Sequence, residues 1–162
     1  MKVITASVRE TLRLGEFLSK HLKPGDIICL KGNLGSGKTT LTKGIASGLG
    51  VSRIKVTSPS FVIMRQHLEG RVPLFHFDLY RLKEVSDIAA LGYEGYFYAE
   101  GISVIEWAQN LDCLMPKEHL MIELSYGSKD KRIIKITAVG IRYKELLREM
   151  RAGSLIRKRE LK

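Results

Sequence analysis

The chain has 162 residues, of which 44% are hydrophobic and 27% are charged, a composition typical of one ordinary globular domain with a buried core. No apolar run approaches the length of a membrane span, and residues 1–5 lack the apolar core of a signal peptide, so we expect a cytoplasmic protein with no membrane partner. The two cysteines form no CxxC pair and the four histidines show no close ligand spacing, which argues against a zinc site.

The amino-terminal segment predicts a strand followed by a helix. Val3 and Ile4 open the strand, and Ser7 and Glu10 have the S-x-x-E spacing of a helix capping box. The apolar positions that follow keep a helical period, so we expect a helix over residues 8–22. It ends at the Lys-Pro-Gly-Asp turn of residues 23–26.

Residues 32–39 read GNLGSGKT, a complete G-x-x-x-x-G-K-[ST] signature. The apolar run of residues 27–30 predicts a buried strand before the signature, and Leu41, Ile45 and Leu49 lie four apart on one face of a predicted helix after it. A chance glycine turn with a surface lysine would lack these flanking elements. Strand, glycine loop and helix together predict the binding of a nucleoside triphosphate.

The residue types of this loop explain the chemistry. Glycines let the backbone turn its N–H groups toward an anion, and the helix start adds further N–H donors and a partial positive charge. Lys38 would reach the β- and γ-phosphates, and the Thr39 hydroxyl would bind Mg²⁺. The sequence lacks a guanine-reading Asn-Lys-x-Asp motif, which favours ATP over GTP. We expect the amino-terminal helix to lie beside the adenine base, with the Thr11 hydroxyl as a contact. The other predicted nucleotide-binding residues are Asn33, Leu34, Gly35, Ser36, Gly37, Lys38, Thr39 and Thr40.

The remaining segments predict a mixed α/β fold. Residues 54–61 pass from an extended run into a Ser/Thr/Pro turn that is suitably placed for a nucleotide-sensing switch, although most such turns only connect elements. We expect a hairpin from residues 61–67 and 72–80, short helices at 87–91 and 93–98, a buried strand at 101–105, a second hairpin from 120–125 and 132–139, and a helix from residue 141. The sum is a P-loop NTPase fold, a three-layer α/β/α domain with a mixed, mainly parallel central sheet and antiparallel hairpins.

Two acids follow predicted strands and are candidates for metal binding or for positioning the attacking water. Glu106 ends an apolar run expected to be a parallel core strand beside the strand that precedes the phosphate loop. Asp78 ends a strand that leaves a tight hairpin, so that strand should be antiparallel to its neighbour. On this topology we assign Glu106 to the metal, and Asp78 to positioning of water, metal or switch. A strand-terminal acid is also often a solvated terminus or a helix cap.

Half of the formal net charge of +10 lies in the carboxyl-terminal segment. Residues 142–162 contain eight Lys or Arg and three Glu, a net charge of +5. We therefore divide the chain into a P-loop domain, residues 1–140, and a basic helix and tail, residues 141–162. The tail is either a solvated basic helix or a contact surface for RNA or an acidic protein face.

Five motifs give the chain a family resemblance. TLRLG occurs at residues 11–15, GNLGSGKTT at 32–40, VTSPSF at 56–61, HFDLYRL at 76–82 and VIEWA at 104–108. In this order they resemble the TsaE family, also called YjeE, bacterial ATPases needed for the threonylcarbamoyl-adenosine (t6A) modification of tRNA. The phosphate loop alone is shared by many proteins, whereas the other motifs together are specific.

The resemblance implies a small ATPase with Mg²⁺ on Thr39 and Glu106 and with Asp78 needed for turnover. Lys38, Asp78 and Glu106 are therefore the predicted catalytic residues, and ATP and Mg²⁺ the predicted cofactors. The resemblance also implies the partners TsaD, a threonylcarbamoyl-transferase subunit, and its companion TsaB, an assembly that the ATPase resets between cycles. Contact with tRNA would be indirect or through the basic tail.

Two other functions remain open at this point. A P-loop small-molecule kinase would use the same loop but needs an acceptor pocket and an arginine-bearing lid, for which residues 81–101 are poorly suited. A non-hydrolysing RNA-binding module would depend on the basic tail rather than on ATP.

Overall fold

The computed structural model describes residues 1–153, and the part of the predicted basic tail beyond residue 153 lies outside the described residues. The chain forms seven strands and five α-helices in this part. In order these are β1 (Lys2–Thr5), α1 (Val8–Ser19), β2 (Ile27–Lys31), α2 (Lys38–Gly48), β3 (Met64–His67), β4 (Leu74–Asp78), α3 (Val85–Ala89), α4 (Glu94–Phe97), β5 (Ile102–Glu106), β6 (His119–Tyr126), β7 (Arg132–Val139) and α5 (Ile141–Ala152). A stretch of 3₁₀ turns at Ala108–Leu114 follows β5.

The strands form one sheet in the order β1-β7-β6-β2-β5-β4-β3. The pairs β6–β2, β2–β5 and β5–β4 are parallel, whereas β1–β7, β7–β6 and β4–β3 are antiparallel. The expected mixed α/β sheet is confirmed. The three parallel pairs lie at the centre, and three antiparallel pairs lie toward the edges: the hairpins β3–β4 and β6–β7, and the long-range pair β1–β7.

Helices cover both faces of the sheet, as the three-layer prediction requires. Alternate residues of β2 point to opposite sides, so Ile28 and Leu30 join a core beneath α1, α2 and α5, while Ile27 and Cys29 join a second core with α3, α4 and the 3₁₀ turns. Because β2 is the fourth of the seven strands, the phosphate loop begins at the carboxyl end of the central strand.

The predicted capping box starts α1. Ser7 Oγ accepts a hydrogen bond from Glu10 N at 3.2 Å, and the Glu10 carboxylate reaches back to Ala6 N at 2.8 Å. The helix ends at Ser19 rather than at residue 22. Its Gly15 packs on α2 so closely that an added Cβ would lie 2.5 Å from Leu41 O.

Local turns change two predicted elements. The extended run expected from residue 54 is instead a turn at residues 53–55, and β3 begins at Met64 rather than at residue 61. The Pro59 carbonyl accepts hydrogen bonds from Val62 N and Ile63 N, and Ile63 has a φ of +68°, so the chain folds back before it can pair as a strand. The 3₁₀ turns after β5 were not predicted.

Helix α5 packs into the core that α1 and α2 form against the sheet. Tyr143, Leu146 and Met150 are buried there, and the Tyr143 hydroxyl accepts a hydrogen bond from Ile27 N at 2.7 Å. Arg142, which we counted with the basic tail, is bound to Asp26 at 2.7 and 3.0 Å. No helix within residues 1–153 is long and apolar enough to cross a membrane.

Candidate nucleotide-binding site

The phosphate loop adopts an anion-binding shape. Gly32, Gly35 and Gly37 have φ values of +149°, +73° and +105°, a region that side-chain-bearing residues rarely enter. Gly32 must also lack a side chain because a Cβ would press on the backbone carbonyl oxygen of Leu124 and would meet Ser36 Oγ at 2.5 Å. Ser36 itself is fully buried, and its Oγ has no hydrogen-bond partner among the described residues.

Lys38, the first residue of α2, folds back over the loop. Its Nζ donates hydrogen bonds to Gly32 O at 2.7 Å and to Asn33 O at 3.0 Å, and it lies 4.0 Å from the centroid of the Trp107 ring. Burial lowers the pKa of Lys38, while the carboxylates of Glu106 and Asp78 oppose that effect. The ammonium group is thus poorly solvated and poised for an anion.

The next residue, Thr39, meets Glu106 from the neighbouring strand. Thr39 Oγ1 donates a hydrogen bond to Glu106 Oε2 at 2.9 Å. The contact follows from the parallel pairing of β2 with β5, in which Leu30 lies opposite Glu106. The expectation that Glu106 ends a parallel strand beside the phosphate-loop strand is therefore confirmed.

The other carboxylate oxygen of Glu106 is held from two sides. His76 Nε2 lies 2.8 Å from Glu106 Oε1, and Thr42 Oγ1, whose single hydrogen is shared with Lys38 O at 3.0 Å, lies 3.4 Å from the same oxygen. Both His76 and Glu106 are almost completely buried. The carboxylate orientation is therefore fixed by protein groups, leaving Oε2 directed at Thr39.

Asp78 lies directly opposite Glu106 in the sheet. The strand β4 is antiparallel to β3, as expected, but it is also parallel to β5 on its other side, which the sequence interpretation missed. The two acids consequently end adjacent parallel strands in register. The topological reason for separating their roles is therefore wrong, because both strands belong to the parallel centre.

The Asp78 carboxylate holds the Ser/Thr/Pro turn. Oδ2 accepts hydrogen bonds from the hydroxyls of Ser58 and Ser60, the latter at 2.7 Å, and Oδ1 accepts one from Tyr80 N at 2.9 Å. Asp78 is thus connected to the segment that we considered as a switch, rather than to solvent.

A cavity of about 470 Å³ brings these groups together. It also includes Phe61, Tyr80, Arg81 and Trp107 from beyond the loop. Eight of the eleven predicted site residues line it, namely Leu34, Gly35, Gly37, Lys38, Thr39, Thr40, Asp78 and Glu106.

The other three predicted residues lie elsewhere. Asn33 contributes its carbonyl to Lys38, and Ser36 is buried under the loop. Thr11 is 2% exposed, and its hydroxyl bonds Thr5 Oγ1 at 2.8 Å and Ser7 O at 3.3 Å. A contact between this hydroxyl and adenine would require these bonds to break, and that assignment stays a prediction.

Sequence reasoning missed the two polar residues that contact Glu106 Oε1. His76 could have been found because it lies two residues before Asp78 and so shares its strand face. Thr42 lies one helical turn after Lys38, which was also a usable signal. The contact between the Tyr126 hydroxyl and Leu34 O had no such signal because it joins residues 92 positions apart.

The parallel strand, glycine loop and helix, with a lysine, a threonine and an opposing carboxylate, define a P-loop nucleotide-binding protein. Comparisons with known proteins narrow this class. A family model described as threonylcarbamoyl adenosine biosynthesis protein TsaE matches residues 5–134. The chain therefore belongs to the TsaE family.

Individual relatives agree with this assignment. The tRNA threonylcarbamoyladenosine biosynthesis protein TsaE of Bacillus subtilis (strain 168) is 41% identical over 150 residues, with 93% of both chains covered. The protein of the same name from Nostoc sp. is 35% identical, covering 90% of this chain and 91% of the relative. The crystal structure of YdiB from Bacillus subtilis has a TM-score of 0.83 at 38% identity, covering 94% of this chain and 95% of YdiB.

Proposed function

We propose that this protein binds ATP with Mg²⁺, hydrolyses it, and acts through its nucleotide state in the threonylcarbamoyladenosine modification of tRNA. The observation that carries the proposal is the contact of Thr39 Oγ1 with Glu106 Oε2 beside the Lys38 ammonium group. The family membership supports the pathway, since the relatives from Bacillus subtilis and Nostoc are named for it.

The residues present fit a bound triphosphate. The loop offers backbone N–H groups at glycines with positive φ. Lys38 Nζ donates two hydrogen bonds to loop carbonyls, and phosphate oxygens could replace these carbonyls as acceptors. The buried Ser36 Oγ, which bonds no other group within residues 1–153, is a further donor at the loop.

The same residues fit Mg²⁺. Adjacent oxygen ligands of an octahedral Mg²⁺ lie about 3 Å apart, and the oxygens of Thr39 and Glu106 are 2.9 Å apart. Bound there, Mg²⁺ would neutralise charge on the β- and γ-phosphates. His76 and Thr42 would keep the Glu106 carboxylate in place.

Asp78 is suited to sense and use the γ-phosphate. Its carboxylate lines the cavity and accepts hydrogen bonds from Ser58 and Ser60, so a change at the phosphate end of the site reaches the turn directly. In this role Asp78 orients the attacking water and the turn reports the nucleotide state. We propose that TsaD and TsaB read this state, which would reset their assembly between cycles.

The test measures ATP binding by calorimetry and phosphate release with and without TsaB and TsaD. Glu106→Ala should retain nucleotide binding but lose Mg²⁺-dependent turnover by at least about tenfold, because a carboxylate ligand of the metal is removed. Glu94→Ala is the matched control, since it removes an exposed acid outside the cavity. Equal hydrolysis in wild type and Glu106→Ala would overturn the metal assignment.

Two further outcomes separate the alternatives. Co-purification of TsaD and TsaB from lysate in ATP but not in ADP supports the pathway role, and their absence in both states contradicts it. Phosphate transfer to a member of a small-molecule acceptor panel, in place of release to water, would identify a kinase.

A further inference from the structure

Within residues 1–153, no helix packs over one face of the outer strands β1 and β7. The second core, beneath α3, α4 and the 3₁₀ turns, includes Ile27 and Cys29 of β2 and Met121 of β6, but no residue of β1 or β7. On β7, Lys135 and Thr137 point to this side and are exposed. The outer strands therefore present an uncovered sheet surface.

Charged side chains form a row across this surface. Strand pairing places Lys31 of β2 opposite Glu123 of β6, Glu123 opposite Lys135 of β7, and Lys135 opposite Lys2 of β1. Directly opposed residues point to the same face, and strands lie about 4.8 Å apart, so the row spans about 14 Å. We call these four residues the basic row.

The basic row borders the nucleotide site. A groove of about 400 Å³ contains all four of its residues and also Gly32, the first glycine of the phosphate loop. Glu123 neutralises part of the row through an ion pair with Lys135 at 3.2 Å, but both side chains remain largely solvent-accessible. Such an exposed pair is weak and yields readily to another anion.

The charge of the surrounding segments reinforces the row. Residues 1–5, 31 and 123–135 contain six Lys or Arg and two acids, a net charge of +4. By contrast, residues 84–112, which include α3 and α4, contain six acids and no Lys or Arg. On this face of the sheet, positive charge therefore lies over the β1–β7–β6 half and negative charge over the half that carries α3 and α4.

An arginine–aromatic pair lies at the end of the same hairpin. The Arg132 guanidinium is 4.9 Å from the centroid of the Tyr126 ring, and Tyr126 is 51% exposed. The Tyr126 hydroxyl also donates a hydrogen bond to Leu34 O in the phosphate loop. An exposed aromatic ring beside cations is suited to stack on an unpaired base.

We propose that the basic row and the Tyr126–Arg132 pair form a binding surface for the phosphate backbone of RNA. Lysines are depleted in the centres of protein–protein interfaces, whereas they are principal contacts to nucleic-acid phosphates. Tyr126 is the one large exposed apolar side chain among the six residues of this surface, and the other five are charged. The surface includes no residue of the segment 141–162, and its use does not depend on ATP hydrolysis.

The experiment titrates the full-length protein into a fluorescein-labelled tRNA transcript and follows anisotropy at several salt concentrations. The variant Lys2→Gln/Lys31→Gln/Lys135→Gln removes three charges from the row. The control Lys20→Gln/Lys117→Gln/Lys144→Gln removes three exposed lysines from other elements. Single variants Lys2→Gln and Lys31→Gln serve if the triple variant does not fold.

The row variant should lower the slope of log K against log salt by about two, since each phosphate contact contributes about 0.7 to 0.9. Each single variant should lower it by just under one, and the control should leave it nearly unchanged. Equal losses in row and control variants, no loss in the row variant, or no binding at low salt would overturn the proposal. Tighter row-dependent binding of polyglutamate than of tRNA would also overturn it, in favour of an acidic protein. ATP binding by the same variants, measured by calorimetry, shows separately whether the nucleotide site is intact. A failure of the RNA proposal can thus be told apart from a failure of the proposed nucleotide site.

Discussion

His76 Nε2 lies 2.8 Å from Glu106 Oε1, while Glu106 Oε2 accepts the hydrogen bond of Thr39. The carboxylate assigned to the metal is thus oriented by a buried imidazole on the neighbouring strand. His76 is a positioning residue, since it lies behind Glu106 rather than among the residues that line the cavity.

His76→Ala should raise the Mg²⁺ concentration needed for half-maximal turnover by about tenfold or more, because Glu106 loses its support. His76→Gln should recover part of this loss, since its amide can donate the same hydrogen bond. Nucleotide binding without metal, measured by calorimetry, serves as the control. An unchanged Mg²⁺ dependence in His76→Ala would show that the imidazole only fills the core.

Lys38 should make ATP affinity sensitive to alkaline pH. Burial lowers its pKa below the ordinary 10.5, and only the protonated form pairs with phosphate. Affinity should therefore be full below the lowered pKa and fall as the pH rises through it. Lys38→Met should bind ATP on the order of 100-fold more weakly and lose this pH dependence. Calorimetry between pH 7 and 10, with circular dichroism to check folding, measures both effects.

Asp78→Ala should free the turn that Ser58 and Ser60 now tie to the sheet. We expect ATP to remain bound while turnover falls, and chymotrypsin to cut faster after Phe61, which is already 83% exposed. The double variant Ser58→Ala/Ser60→Ala should reproduce the faster cleavage without removing the carboxylate. Unchanged steady-state turnover in Asp78→Ala would remove that residue from the mechanism.

Gly15→Ala should destabilise the protein by about 2 kcal/mol, because its Cβ would press on the backbone of α2. Gly95→Ala is the matched control: apart from its chain neighbours and its own helix backbone, no atom of residues 1–153 lies within 4 Å of its added Cβ, so it should change stability by less than about 1 kcal/mol. Urea denaturation measures both. Similar stabilities of the two variants would mean that α1 moves away from α2 at little cost.

The two thiols should differ in reactivity. Burial raises the pKa of Cys29 to about 12, whereas Cys113 is exposed. A thiol reagent should therefore modify only Cys113 in the native protein, and both cysteines in guanidinium chloride. Native Cys113→Ser that still reacts rapidly would contradict the burial of Cys29.

The raised pKa of Cys29 should also make the stability of the protein depend on pH. Between pH 9.0 and about 12 the native state keeps the Cys29 proton that the unfolded chain loses, so the free energy of unfolding falls as the pH rises. Cys29→Ala should show a shallower fall in this range.

Local patterns were sufficient for several elements and for the phosphate loop. The Ser7–Glu10 capping box, the strand–loop–helix around Lys38 and the second hairpin depend on neighbouring residues, so their signals lie within short windows. The predicted start of β3 was wrong because a turn precedes the strand. The hydrogen bonds from Val62 N and Ile63 N to the Pro59 carbonyl form this turn, so β3 begins later in the chain. The hydrophobic periodicity of the segment gives no signal for these bonds.

The sequence by itself determined the class of chemistry, because a phosphate loop is one continuous stretch whose glycines, lysine and threonine act at fixed spacing. It also marked Asp78 and Glu106 as strand-terminal acids. Only the tertiary structure decided that these two acids lie side by side and that His76 holds Glu106. Those relationships, like the alignment of Lys31, Glu123, Lys135 and Lys2, arise from strand order and register. Both are set by packing between distant segments rather than by local spacing.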